Sequence, residues 1–68
     1  MSVINYIKKI RLEKHILQED LAKAALCDVK TIRRYEKGRT QPCLETALRL
    51  ARYLELSTDE LFKLENSQ

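Results

Sequence analysis

Ile4, Ile7 and Ile10 recur at helical spacing with Lys8, Lys9 and Lys14 elsewhere on the wheel, so residues 4–14 read as an amphipathic first helix. A second, short helix over 18–25 places Leu21, Ala22 and Ala25 on one side, and Glu19 and Asp20 near its start, where the macrodipole favours acids. Asp28 is placed to cap a third helix running to Lys37, and Gly38 just beyond is the expected left-handed terminator. Within that helix Ile32 and Tyr35 point inward, which leaves Val29, Lys30, Arg33 and Arg34 on outward or flanking faces. After a loop over 39–42, Leu44, Ala47, Leu48, Ala51 and Leu54 trace a fourth helix whose apolar stripe Leu50 widens. Ser57 with Glu60 three residues on is a capping box, flanked by Leu56 and Leu61 as a hydrophobic staple, and predicts a short fifth helix ending near Phe62. Only Leu26 and Cys27 fall between the second and third helices, a tight turn that forces them to cross steeply.

Composition agrees with an all-α fold: glycine and proline occur once each, and hydrophobic residues make up 44% of 68 residues. A chain of this length builds one domain and one modest core, burying only about 60% of its unfolded surface, so self-association is a natural source of further burial. No apolar run approaches the roughly 18 residues of a membrane span, and no signal-peptide core opens the chain. A soluble, cytoplasmic protein is expected. Cys27 and Cys43 form no CxxC pair and His15 is the single histidine, so no metal site or cofactor is expected; both thiols read as small buried apolar groups. His15 also has no nucleophile to serve and no phosphate-cradling glycine loop is present, which argues against an enzyme.

Charge changes the reading, because it is divided. Residues 1–53 hold 12 Lys and Arg against 6 Asp and Glu, a net +6, whereas 54–68 hold Lys63 against Glu55, Asp59, Glu60 and Glu65, a net −3. The densest basic stretch is Lys30, Arg33, Arg34, Lys37 and Arg39, opposed only by Glu36. A cationic helix after a short helix and a tight turn points to a polyanion, and to DNA in particular, although a charge run alone is more often a solvated face.

Several segments in register carry a resemblance: Ile10-Arg11, Gln18-Glu19-Asp20-Leu21-Ala22, Thr31 through Gly38, Pro42-Cys43-Leu44-Glu45-Thr46, and Asp59-Glu60-Leu61-Phe62. Together they resemble the Cro and phage-repressor type of helix-turn-helix regulator, also called the xenobiotic-response-element type, over nearly the whole chain. The resemblance implies a five-helix lambda-repressor-like domain over 4–62 with its helix-turn-helix at 18–37, and a short tail over 63–68. It also implies a regulator, with repression the expected outcome, that lays its third helix in the major groove of double-stranded DNA. Base contacts would fall to Val29, Lys30 and Arg34, with Arg33 close to the same groove wall: the cations donating to guanine O6 and N7, the valine packing on a thymine methyl. Gln18, aided by helix-end amides, would hold a phosphate and brace the third helix, and Lys37, Arg39 and Thr40 would bind further phosphates. Asp28 has two open roles, capping the helix or accepting from cytosine N4, with capping preferred. Arg11 and Glu36 match positions that form a partly buried ion pair in related regulators.

One recognition helix reads too few base pairs for a genome, so a homodimer on a palindromic operator is expected, with Leu61, Phe62 and Leu64 as the apolar centre of the contact. Alternatively Phe62 and Leu64 cover the monomer's own core. A small antiparallel pair between 2–4 and 63–65 is a further expectation. With no effector domain following the fifth helix, regulation would work by occupancy; no membrane or small-molecule partner is implied. Three residues depart from the family pattern: His15 and Leu26 replace common glycines and Leu17 a common serine cap, so the turn geometry is expected to differ. Cys43 likewise replaces a serine cap before the fourth helix. The rival reading is a protein-interaction or antitoxin-like module on the same fold, which would have no need of the basic cluster.

Overall fold

The computed structural model describes residues 3–65 as a strand, five helices and a second strand: β1 (Val3–Asn5), α1 (Ile7–Glu13), α2 (Gln18–Ala25), α3 (Val29–Glu36), α4 (Leu44–Leu54), α5 (Thr58–Leu61) and β2 (Phe62–Leu64). The fold is all-helical apart from one two-stranded antiparallel sheet made by the two ends of the chain. Its core gathers one or more side chains from every helix: Ile7, Leu21, Ala22, Ala25, Ile32, Tyr35, Leu50, Ala51, Leu54 and Leu61. Among the described residues no helix is long and apolar enough to cross a membrane.

The first helix is shorter than its isoleucine spacing suggests. Ile4 lies in β1 with its side chain largely exposed, and the helix begins at Ile7. Asn5 accounts for the difference. Its Oδ1 accepts from the Ile7 amide at 3.2 Å, relieving one of the orphan donors of the first turn, while its Nδ2 donates to the Tyr35 carbonyl at 2.8 Å. Strand pairing holds the preceding residues extended in the register Val3↔Leu64, Ile4↔Lys63, Asn5↔Phe62. That is one residue later on β1 and one earlier on β2 than expected; Ser2 lies outside the described residues. The sheet takes Val3, Lys63 and Leu64 into the fold on either side of 4–62.

Both residues that depart from glycine are left-handed. His15 follows α1 at φ 58°, and Leu26 caps the end of α2 at φ 58° and ψ 47°. Local strain results at both positions, since Cβ crowds the carbonyl in that region. Leu26 recovers little by burial, being 72% exposed. Leu26→Gly is accordingly expected to stabilise the domain by about 0.5 to 1 kcal/mol, net of glycine's greater unfolded-state freedom. Thermal unfolding should shift upward by roughly 2 to 8 °C; an unchanged or lowered midpoint would mean that Leu26 makes contacts worth more than its strain.

Helix α3 is bounded at both ends, but not by the Asp28 side chain. Asp28 occupies the cap position in extended conformation and its carboxylate makes no capping hydrogen bond, contrary to the preferred reading. At the other end Gly38 takes φ +72°, a backbone state that favours a residue without Cβ, and donates to the Tyr35 carbonyl at 3.0 Å. Leu17, before α2, supplies no acceptor, so only half of a capping box forms there: the Leu17 amide donates to Asp20 Oδ2 at 3.4 Å. The Ser57 box before α5 is complete, with Glu60 N–H donating to Oγ at 3.2 Å and the Ser57 amide donating to Glu60 Oε1 at 2.9 Å.

In α4 the inward face is rotated from the expected stripe. Leu50 has no exposed surface and joins Ala51 and Leu54 in the core, whereas Leu44 and Leu48 are 74% and 52% exposed. Leu61 is likewise fully enclosed by its own chain. It therefore has no surface to offer a second molecule, which leaves Leu64, exposed, and Phe62, half-buried against the core.

Candidate nucleic-acid interface

On the wheel of α3, Ile32 and Tyr35 are buried, and Val29 packs half-buried against the same core. Successive residues advance by about 100°, so Arg33, Lys37, Lys30 and Arg34 follow one another over an arc of roughly 100° on the opposite side. All four side chains are exposed, as are Arg39 and Thr40 in the loop that follows. Among the described residues Lys30, Arg34, Lys37 and Arg39 make no ion pair within the chain. This is a cationic ridge fixed to a rigid element by two core side chains.

Behind the ridge lies a polar network that sets its position. Arg11 on α1 donates from Nε to Glu36 Oε2 at 2.7 Å and from Nη2 to Oε1 at 3.3 Å, and its Nη1 donates to the Ile16 carbonyl at 3.0 Å. The two side chains are only 11% and 3% exposed. Gln18, first residue of α2, donates from Nε2 to Glu36 Oε1 at 2.9 Å and accepts at Oε1 from Arg33 Nε at 3.2 Å. Three helices are thereby tied at one acid, and Arg33 is drawn sideways toward α2. The Gln18 amide nitrogen has a second hydrogen, so its role as a brace leaves it able to donate to a phosphate as well.

The remaining predicted residues are dispersed. Val29 presents only part of its surface, so any contact with a thymine methyl uses the exposed part. Leu64 and Phe62 sit on β2, whose main contacts are with β1 and α5. The two thiols differ from the expected buried pair: Cys27 is half-buried against the core, but Cys43 is exposed. Burial, and secondarily the Asp28 charge, pushes the Cys27 thiol up. At Cys43, Sγ lies 3.4 Å from Thr46 Oγ1, and that hydroxyl holds the thiol below its ordinary range. Both are free thiols. Two polar residues with a role at or near this face escaped the sequence reading. Asn5 fastens β1 to the end of α3, a contact across 30 positions with no local signature. Lys8 lines the same cleft as Gln18, Arg33, Glu36 and Lys37; its position one turn before Arg11 was the available signal, since residues three apart share a helix face.

This arrangement, two short packed helices with a braced cationic second member, matches a known family model. The helix-turn-helix model covers residues 7–61. The chain belongs to the helix-turn-helix regulators of Cro and phage-repressor type. An uncharacterized helix-turn-helix-type transcriptional regulator of Methanocaldococcus jannaschii is 31% identical to it over 64 residues, 94% of this chain and 97% of the relative. A solved structure of a candidate DNA-binding protein from Bacteroides fragilis has a TM-score of 0.82 at 26% identity, over 90% of this chain and 98% of its own. A transcriptional regulator from Listeria innocua shares the fold, with a TM-score of 0.80 at 24% identity, over 100% of this chain and 66% of its own. Membership places this helix-turn-helix regulator outside the enzymes.

Proposed function

We propose that this helix-turn-helix regulator binds double-stranded DNA with α3 in the major groove and represses transcription by occupying its operator. The observation that carries the reading is the exposed arc of Arg33, Lys37, Lys30 and Arg34, held outward by the burial of Ile32 and Tyr35 on the reverse side. A two-sided helix of this kind fits a groove wide enough to admit it, and its cations match the guanine acceptors that the major groove displays. Lys30 and Arg34, without an ion-pair partner among the described residues, are the base readers, with Val29 beside them. Lys37, Arg39 and Thr40 hold the backbone, as does Gln18. The α5 acids Asp59 and Glu60 are unsuited to phosphate and belong on the side away from the DNA, and Leu64 with the open part of Phe62 supplies the contact between two copies.

Selection of bound fragments from random duplex DNA tests this reading. The recovered sites should carry a twofold-repeated half-site whose centres lie about 34 to 36 Å apart, or a multiple of that. On such a site Arg34→Ala should weaken binding by about 1 to 3 kcal/mol and relax the preference at one base pair, while affinity for unrelated duplex changes far less. Equal affinity of wild type and Arg34→Ala for the selected site would remove Arg34 from base recognition. No enrichment of any duplex, together with an affinity indifferent to salt, would favour the protein-interaction reading instead.

A further inference from the structure

Arg33 is exposed like its neighbours on α3, yet its guanidinium is not directed as theirs are. Its Nε is hydrogen-bonded to Gln18 Oε1, on the next helix. Around that bond lies a cleft of about 160 Å3 lined by Lys8, Gln18, Arg33, Glu36 and Lys37. The cleft is drawn from α1, α2, α3 and the residue that ends α3. Its one acid, Glu36, is already matched by Arg11, so the three remaining cations, Lys8, Arg33 and Lys37, are left uncompensated. Water occupies about 30 Å3 per molecule in the liquid, so the space admits a phosphate group without rearrangement.

We propose that Lys8, Arg33 and Lys37, with the free hydrogen of the Gln18 amide, form a clamp for a single backbone phosphate of the DNA, and that Arg33 consequently reads no base. The inference rests on the DNA-binding reading above and deepens it by moving one residue from base recognition to backbone positioning and adding Lys8, on α1, to the interface. The chemistry supports the assignment. A phosphate offers several acceptor oxygens at one point, and a guanidinium whose Nε is already engaged still presents its two terminal nitrogens as a fork suited to that group. The same Nε bond holds the fork on the α2 side of the ridge, apart from Lys30 and Arg34. Lys8 adds a compact charge from α1 and Lys37 another from the end of α3, and Gln18 joins the clamp to the ion pair that fixes the spacing of the three helices.

The test compares wild type, Lys8→Ala, Arg33→Ala and Arg34→Ala on a selected operator and on an unrelated duplex of equal length, with salt varied from about 50 to 200 mM. Losing the clamped phosphate altogether should lower the slope of log affinity against log salt by about 0.9, which shrinks the affinity lost across that salt range about 3.5-fold, and losing one of its cations should give a part of this change. Lys8→Ala and Arg33→Ala are each expected to show this partial change on both duplexes by the same factor, and Lys8→Arg to restore the slope. Arg34→Ala should act chiefly on the operator. Placing an uncharged methylphosphonate at the clamped phosphate should remove the difference between wild type and Lys8→Ala. An unchanged slope for Lys8→Ala would overturn the clamp, as would an altered base preference in Arg33→Ala, while leaving DNA binding intact. Failure of the wild type to bind either duplex would overturn both readings. Lys8 and Arg33 are exposed, so circular dichroism of the variants should match the wild type and separate a binding effect from misfolding.

Discussion

Replacing Glu36 with alanine is expected to destabilise the domain by about 3 to 5 kcal/mol, the cost of leaving one member of a buried ion pair without its partner. The carboxylate accepts two bonds from Arg11 and one from Gln18, and its side chain is 3% exposed. Once it is gone, the Arg11 guanidinium stays enclosed with only the Ile16 carbonyl to accept from it. Stabilities near 0.05 to 0.15 kcal/mol per residue imply roughly 3 to 10 kcal/mol for a chain of this size, so the variant should lose about a third or more of the domain's stability. Urea titration followed by circular dichroism measures the loss. The double variant Arg11→Met with Glu36→Leu should be more stable than either single change, because an apolar pair carries no desolvation penalty. A loss below about 1 kcal/mol for Glu36→Ala would show that water reaches the pair and that its role in the fold is minor. The double variant should nonetheless bind DNA less well, since Gln18 and Arg33 would lose their anchor. The pair is thus a device for geometry more than for net stability.

The second large effect lies in α4. Leu50→Ala should cost about 2 to 5 kcal/mol, because it opens a cavity in the core that also holds Leu21, Ile32 and Leu54, all fully buried. Leu44→Ala and Leu48→Ala, on the exposed flank of the same helix, should fall within about 0.5 kcal/mol of wild type. Urea midpoints for the three variants at low protein concentration decide the matter. Equal losses at Leu44 and Leu50 would place the buried face of α4 where its sequence spacing alone suggested. The comparison tests the rotation of one helix about its axis, a quantity that apolar spacing constrains loosely when the leucines of a helix, at 44, 48, 50 and 54, spread over an arc of roughly 160°.

The ion pair and the α4 face illustrate different limits on what the chain reveals. Arg11 and Glu36 lie 25 positions apart, and no periodicity links them; their partnership followed only from a likeness to a family. The stripe in α4 was visible in the spacing, but its centre was set by which leucines α2 could enclose. Cys43 shows the same limit. A small thiol in a short apolar-rich domain suggests burial, yet it stands at the head of α4, where the chain emerges from the loop, and is exposed.

What the amino-acid sequence determined by itself was local: α2 between its recorded ends, the Ser57–Glu60 box before α5, the left-handed Gly38 after α3, and the two-sidedness of α3 that puts cations opposite Ile32 and Tyr35. These features follow from interactions within a few residues, whose energies do not depend on the rest of the chain. Only the tertiary structure decided what distant residues do together. Asn5 ends a strand and starts a helix because β2 and Tyr35 are within its reach. Leu61 closes the core and does not face outward, and Arg33 leans toward Gln18 beside a cleft that Lys8 also lines. Contacts of that kind depend on how preformed helices pack, and packing is a property of the whole chain that no short window of residues contains.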